Sequence, residues 1–521
     1  MDTKELNNLI DRISLTGPGG IDKIKKVLKE LGKSSGSSID PLTTDYFVLD
    51  PGEDQYAYGV LIDFTEGKSS PDLKRIGNME LHRTLPVQSQ YKGCIWDYEN
   101  KEILYYLNPE NWNLAVNDEV HNVQKTAAQV KADMENAIYG IRVETPKFYA
   151  SSKILATDGA GHTIMAKVMF STIKLNASYI EVPRQVTDFR NCFVNGIGNG
   201  SLVCNIDTSG NTFGGYAPEQ DWGNAQDGIL YPITNIPRED ARELAHNGNT
   251  NLMCYEYYKW LFYWAFAIEY ATLNSSKPII NELNENGFHQ GGLGGGLTNF
   301  VEDNGINTQD TTGKDKCRYI GVTNELGNGT GELNIPTDTN LDKIGHPNRY
   351  RGFECPFGDI QLALDGFLGR TVKDYNDNPI YEEYYTCNNP EVFYDDFPTT
   401  YDSHEFENGW RIAYRDVFRD GVEREGNDEG CMMFANVGKQ GDLFPQLWRT
   451  DYENNILYYV NGFTPIDGSE KTALYVGSLS DADFSLVVGL GNFFAGGGIS
   501  YHSKDLGFRC FNIIKDDGTV I

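Results

Sequence analysis

RGFECPFGDIQLALDGF, residues Arg351 to Phe367, and GLGNFFAGGGISYHSKDLGFRCF, residues Gly489 to Phe511, are the two stretches on which the fold of this 521-residue chain is read. Each alone is an apolar run punctuated by glycine. Their order matters more than either does, because both follow the strongly aromatic run from Leu252 to Tyr270. In that run Tyr255, Tyr257, Tyr258, Trp260, Phe262, Tyr263, Trp264 and Phe266 fall on every face of a helix, so the helix must be enclosed on nearly all sides.

Working outward, Pro237 to His246 predicts a helix just before it, with Pro at the first helical position, acids in the first turn and Gly248 beyond the end. Residues 39 to 118 read as a β-rich module. Tyr46 to Leu49, Tyr58 to Phe64, Gly93 to Trp96 and Ile103 to Leu107 are short β-branched or aromatic runs separated by Pro, Gly, Asn and Asp. A polar connector follows, helical over Val123 to Ala137, and leads into a strand over Ile138 to Tyr149 that opens the larger unit, residues 119 to 521. No repeat of fixed period is present.

Residues 1 to 38 stand apart. Ile21, Ile24, Val27, Leu28 and Leu31 recur at helical spacing with Lys23, Lys25, Lys26, Lys29 and Lys33 on the other faces, and Ser34 to Ser38 has the composition of a flexible tether. Such a basic amphipathic helix suits an attachment peptide, either self-associating through its apolar seam or docking on a partner. An ordinary terminal helix folded onto its own domain has the same pattern.

Composition removes several functions. With 44 Lys and Arg against 74 Asp and Glu, the net charge of −30 opposes nucleic-acid binding, which needs a concentrated basic surface. The opening Met1-Asp-Thr-Lys-Glu has no apolar segment of a secretory signal, so assembly in a cytoplasm is expected. Glu256, Lys259 and Glu269 argue against membrane insertion of Leu252 to Tyr270. Nine cysteines without a C-x-x-C pair read as buried free thiols.

The aromatic helix, then Gly358-Asp359-Ile360, then Gly507-Phe508-Arg509 resemble in order the landmarks of the C-type-lectin-like fold in its formylglycine-generating-enzyme-type variant. YGVLIDF, RIGNMELHRTLPVQSQYKGCIWD and ILYYLN are similar to the module preceding that domain in tailed-phage proteins, notably of crAss-like and other gut phages. The resemblance implies an α+β fold with a C-type-lectin-like domain over 119 to 521, a virion location, and display rather than catalysis. It also implies that the segment before Gly507-Phe508-Arg509 contacts the ligand.

Catalytic readings fare poorly. The enzymes of that family need two neighbouring cysteines for copper near the C-terminal glycine-rich segment, whereas Gly491 to Arg509 has none and Cys510 stands alone after it. Gly498-Ile-Ser500-Tyr-His502 lacks the final glycine of a nucleophile elbow and any following helix. Gly489-Leu-Gly491 and Gly327 to Gly331 lack the third glycine of a phosphate cradle and read as turns. Asp374 to Pro379 begins like a calcium loop, but Pro379 replaces the glycine and Tyr385 the bidentate glutamate, so it reads as a solvated turn. The E-P-N, Q-P-D and W-N-D sugar signatures are absent, the eight histidines lack zinc-site spacing, and no cofactor or metal is expected.

What remains is a surface of aromatic and small polar residues, Phe493, Phe494, Ser500, Tyr501 and His502, with Trp448 and Tyr452 as further candidates. Adjacent residues on a strand face opposite ways, so one of Phe493 and Phe494 is expected outside. The expected partners are other virion proteins through residues 1 to 38 and a host-surface receptor, a glycan included. The competing classes are a glycan-acting enzyme using carboxylates such as Asp395, Asp396, Asp481 and Asp483, and a bacterial surface adhesin, which the missing export signal disfavours.

Overall fold

The alternation in AYGVLID, residues Ala57–Asp63, shows how the chain builds its layers. Tyr58, Val60 and Ile62 enter the main core while Ala57 and Leu61 join a second apolar cluster, so this strand, β1, is covered on both faces. Thr163–Ser171 (β8) does the same, with Ala166, Val168 and Phe170 on one side and Met165 and Met169 on the other. The period of two is that of a pleated strand, and burial of both faces fixes the register.

The computed structural model describes residues 48–63, 73–118, 123–136, 138–157, 163–195, 200–204, 233, 236–294, 296, 300–302, 307–308, 321–333, 335–336, 343–357, 361–373, 375–376, 379–393, 410–417, 431–436, 443–448, 463–464, 472–476, 490, 493–494 and 506–521. They form a mixed α+β structure, mostly antiparallel sheets with few helices. One five-stranded antiparallel sheet runs β2 (Lys74–Gly77), β1, β8, β7 (Phe148–Thr157), β9 (Ile180–Val182). A seven-stranded antiparallel sheet runs Asn251–Leu252, Cys510–Ile513, β10 (Gln185–Asp188), β6 (Tyr139–Thr145), β3 (Lys92–Asp97), β4 (Glu102–Asn108), β5 (Asn111–Ala115). A third sheet is built around the long strand Gln361–Lys373.

Residues 39 to 118 do not form a layer of their own. β1 pairs with β8 and β3 pairs with β6, so the division placed at residue 118 runs through two sheets and one continuous core. The polar connector that suggests a boundary is a helix, Ala127–Met134, closed by a capping box between Thr126 and Gln129. Upstream, Val48 and Leu49 lie in a turn and irregular backbone instead of the expected strand, and Tyr46 and Phe47 lie outside the described residues, as do residues 1 to 38.

Between the sheets runs the aromatic helix. It is continuous through Tyr255–Tyr258, a π-helical Lys259–Trp264 and Ala265–Tyr270, and every residue in it is buried. Trp260 meets Phe170 of the five-stranded sheet at 6.3 Å between ring centroids, Tyr257 meets Phe511 of the seven-stranded sheet at 5.2 Å, and Tyr255 meets Phe367 of the third at 5.7 Å. One helix therefore supplies packing to three sheets, which explains aromatics on all its faces. The helix before it spans Arg238–Asn247, with Pro237 at the N-cap, one place earlier than expected, and Gly248 closing the end through Leu244 O and Ala245 O. No helix among the described residues is long and apolar enough to cross a membrane.

Candidate binding face

The glycine-rich segment is anchored at both ends. Leu490 is fully buried; its N–H donates to Ser275 Oγ at 2.8 Å and its carbonyl accepts from the Tyr258 hydroxyl at 2.9 Å. At the far end Leu506–Gly507 pairs in parallel with Gln361 and Leu362. The chain then enters the core as expected, with Phe508 fully buried.

Arg509 holds that return in place. Nη1 donates to Phe189 O at 3.0 Å, Nη2 donates to Glu354 O and Cys355 O at 2.8 Å each, and the guanidinium lies 5.8 Å from the Phe262 ring centre. Buried carbonyls need donors, and one planar cation with five N–H groups serves several at once. The backbone on either side is tied as well, Cys192 N–H to Phe508 O and Met253 N–H to Arg509 O, both at 2.8 Å.

Of the residues expected on the outward face, Phe493–Phe494 forms a two-residue strand between Thr472–Val476, which runs antiparallel to it, and Phe463–Thr464, which runs parallel. Ser500, Tyr501 and His502 lie outside the described residues, as do Tyr452, Asp374, Asp395, Asp396, Asp481, Asp483 and Gly358 to Ile360. Trp448 closes the strand Leu443–Trp448, opposite Cys431. Tyr385, at the place of a calcium loop's last ligand, is buried within Pro379–Thr386 and so belongs to a strand instead of a cation loop.

Sequence reasoning missed the constellation directly beneath this return. Cys510 does not stand alone: its Sγ lies 4.0 Å from Cys192 Sγ, and these thiols with Asp188 place three potential metal donors within 4.8 Å of one another. Cys192 and Cys510 are 318 positions apart, and no local spacing signals their meeting.

The surroundings show what this cluster does. Asp188 Oδ1 accepts from Arg142 Nε at 2.9 Å and Oδ2 from the Cys510 N–H at 2.8 Å. Arg142, also fully buried, donates to Asn512 Oδ1 and to Thr250 Oγ1, with its guanidinium 4.9 Å from the Tyr98 ring centre. Burial pushes both thiols above their ordinary range, Cys192 well above it. The proton on Cys192 is directed at Phe508 O, 3.1 Å away. For Cys510 the main cause is likewise loss of water around the sulfur, with the nearby Asp188 carboxylate adding to it.

Asp188 is already neutralised by the Arg142 guanidinium, and the cluster joins β10, β6 and the C-terminal strand as a clasp of buried thiols and one ion pair.

No family profile, curated protein or solved structure matches this chain.

Proposed function

We propose that this chain is a non-enzymatic virion protein of a tailed phage, a fibre or receptor-binding component whose lectin-like domain presents residues Phe493 to His502 to the host surface. The observation that carries the reading is the anchoring of both ends of the 491–505 segment, at Leu490 through Ser275 and Tyr258 and at Leu506 to Arg509 through the third sheet and four backbone carbonyls. Binding segments work best when a rigid scaffold fixes where they start and end, because less conformational freedom is then lost on contact.

In this proposal residues 1 to 38 dock on other virion proteins, and the apolar seam Ile21, Ile24, Leu28 and Leu31 brings three copies together. The strongly acidic composition keeps a multi-copy assembly soluble.

Adsorption of particles to host cells tests the face. Particles carrying Tyr501→Ala with His502→Ala should adsorb less than wild type, and normal adsorption would show that the face lies elsewhere. Incubating the purified full chain with host-surface glycans tests the other half: release of new reducing ends would overturn the non-enzymatic reading.

A further inference from the structure

The turn Asp50-Pro51-Gly52-Glu53 aims two carboxylates at one buried lysine. Pro51 supplies the fixed φ of its second position, Gly52 has φ +88° and ψ −8°, and Glu53 N–H donates to Asp50 O at 3.1 Å, which together make a type II turn. Asp50 N–H donates in return to Glu53 Oε2 at 2.7 Å. Across from the turn, Lys167 Nζ donates to Glu53 Oε2 and to Asp50 Oδ2, the latter at 3.1 Å.

The lysine stands in an apolar setting. It lies on β8 between Met165 and Met169, on the face those residues give to the second apolar cluster, and its cross-strand partners are Leu61 and Lys153. The Lys167 and Glu53 side chains are both fully buried, whereas Asp50 keeps 25% of its side-chain exposure. An ammonium buried among thioethers and aliphatic groups costs free energy that the carboxylates have to offset. Condensing the amine with one carboxylate removes that charge from the core altogether.

The two acids are held differently. Glu53 is fixed, since Oε1 accepts from the Tyr179 hydroxyl at 2.9 Å and Oε2 accepts from Asp50 N–H besides Lys167. The Asp50 carboxylate is held by lysines alone, by Lys167 and, at 2.8 Å, by Lys153. Burial works against its charge, but the two ammonium groups outweigh this and hold it below the ordinary carboxylate range, so the pair starts as ammonium and carboxylate. Glu53 is therefore placed to carry protons, and Asp50 to turn its carboxyl carbon toward the amine and release water to the solvent.

We propose that Lys167 and Asp50 join in an intramolecular isopeptide bond, with Glu53 relaying the protons. Lys167 Nζ passes a proton to Glu53 and attacks Asp50 Cγ; the Nζ–Cγ bond forms and one Cγ–O bond breaks. The two protons lost by the ammonium, both carried through the Glu53 carboxyl, leave with that oxygen as water. Ammonium plus carboxylate equals amide plus water in atoms and in charge, so the step takes no oxidant and no co-reactant. The reacting groups already touch in a site built on a paired strand and a closed turn, which removes most of the entropic part of the barrier. The bond ties residue 50 to the central strand of the five-stranded sheet, so a pull on the chain before Asp50 passes into β8 directly instead of through β1. The proposal does not depend on the attachment reading.

Intact mass spectrometry of the purified full chain, denatured, should read one water less than the mass of its sequence. Trypsin, which does not cut after an acylated lysine, should yield residues 34–68 joined to residues 154–174, with fragmentation placing the link between Asp50 and Lys167. Lys167→Met and Asp50→Ala should each keep the full mass. Asp50 is at the solvent side of the cluster, so Asp50→Ala keeps the test open if Lys167→Met does not fold. Glu53→Gln retains both reacting groups and an acceptor for Tyr179; shown to be folded by near-ultraviolet circular dichroism, it should form the bond about a hundredfold more slowly or less, read as the linked fraction at successive times after synthesis. A wild-type chain at full mass, cut by trypsin after Lys167, overturns the bond. A link through Glu53 or Lys153, or a folded Glu53→Gln that links as fast as wild type, overturns the roles assigned to these residues.

Discussion

Acid should loosen this fold at His82. The residue lies in the short helix Met79–Thr84, is 1% exposed, and its Nε2 is 3.0 Å from Ile76 O, which makes Nε2 the protonated nitrogen of a neutral ring. Nδ1 has no partner among the described residues, and the ring is enclosed by Tyr58 and Phe288 at centroid distances of 5.5 and 6.2 Å. Burial lowers its pKa from 6.5 to about 4, and the neighbouring Arg75 charge pushes the same way. Because the folded pKa is depressed, His82 contributes nothing to pH dependence well above 6.5, where both states are neutral. As the pH falls below 6.5 the unfolded ring takes up a proton that the folded ring refuses, and stability is lost until the folded pKa is passed. At about pH 4.5 the loss amounts to roughly 2–3 kcal/mol. Urea unfolding at about pH 7.5 and pH 4.5, compared between wild type and His82→Gln, isolates this contribution, since carboxylates titrate alike in both proteins. The wild type should lose about 2–3 kcal/mol more than the variant across that interval. Equal losses would refute the reasoning and place a charged, solvated imidazole in the folded protein.

Three further outcomes follow from the clasp and the termini. Phe508→Ala, at a fully buried site, should destabilise by about 3–5 kcal/mol in thermal or denaturant unfolding, whereas Tyr501→Ala with His502→Ala should cost about 0.5 kcal/mol or less. Cys192 and Cys510 should resist maleimide in the native protein at about pH 8 and react once it is unfolded, as read by peptide mass mapping, because burial holds both thiols protonated; rapid native labelling would contradict the clasp. Deleting residues 1 to 38 should leave a soluble folded protein that no longer incorporates into particles and, by light scattering, no longer forms trimers; normal incorporation would sink the anchor.

What the sequence reveals here is local, and what it hides is pairing. YGVLIDF, GCIW and ILYYL carry the strand alternation in their own residues, and the run from Tyr255 to Phe266 announces its enclosure by having no polar face. Gly507-Phe508-Arg509 is legible too, since an arginine between two apolar residues on a segment that returns into the core needs internal acceptors. Which strand each one meets is not written locally. A polar connector after residue 118 looks like a domain boundary, yet the partners of β3 lie on both sides of it, because a strand's hydrogen bonds carry no residue type.

Inward-reaching arginines explain how so much irregular chain is tied to the core of a protein with net charge −30. Arg75 donates to Glu269 O and His289 O, Arg238 to Leu364 O and Phe367 O, and Arg509 to carbonyls of Asp188, Phe189, Glu354 and Cys355. In each case a guanidinium joins its own element to backbone far away in sequence. A sheet satisfies its carbonyls by repetition; a loop-rich domain has to satisfy them one at a time, and five donors in one rigid plane do so with a single side chain. Arg142 and Arg351 instead meet carboxylates, Asp188 and Glu269, so that charge buried for structural reasons is neutralised where it lies. The acidic composition and the inward-facing cations are thus separate devices: the first sets the net charge, and the second ties backbone distant in sequence into one core.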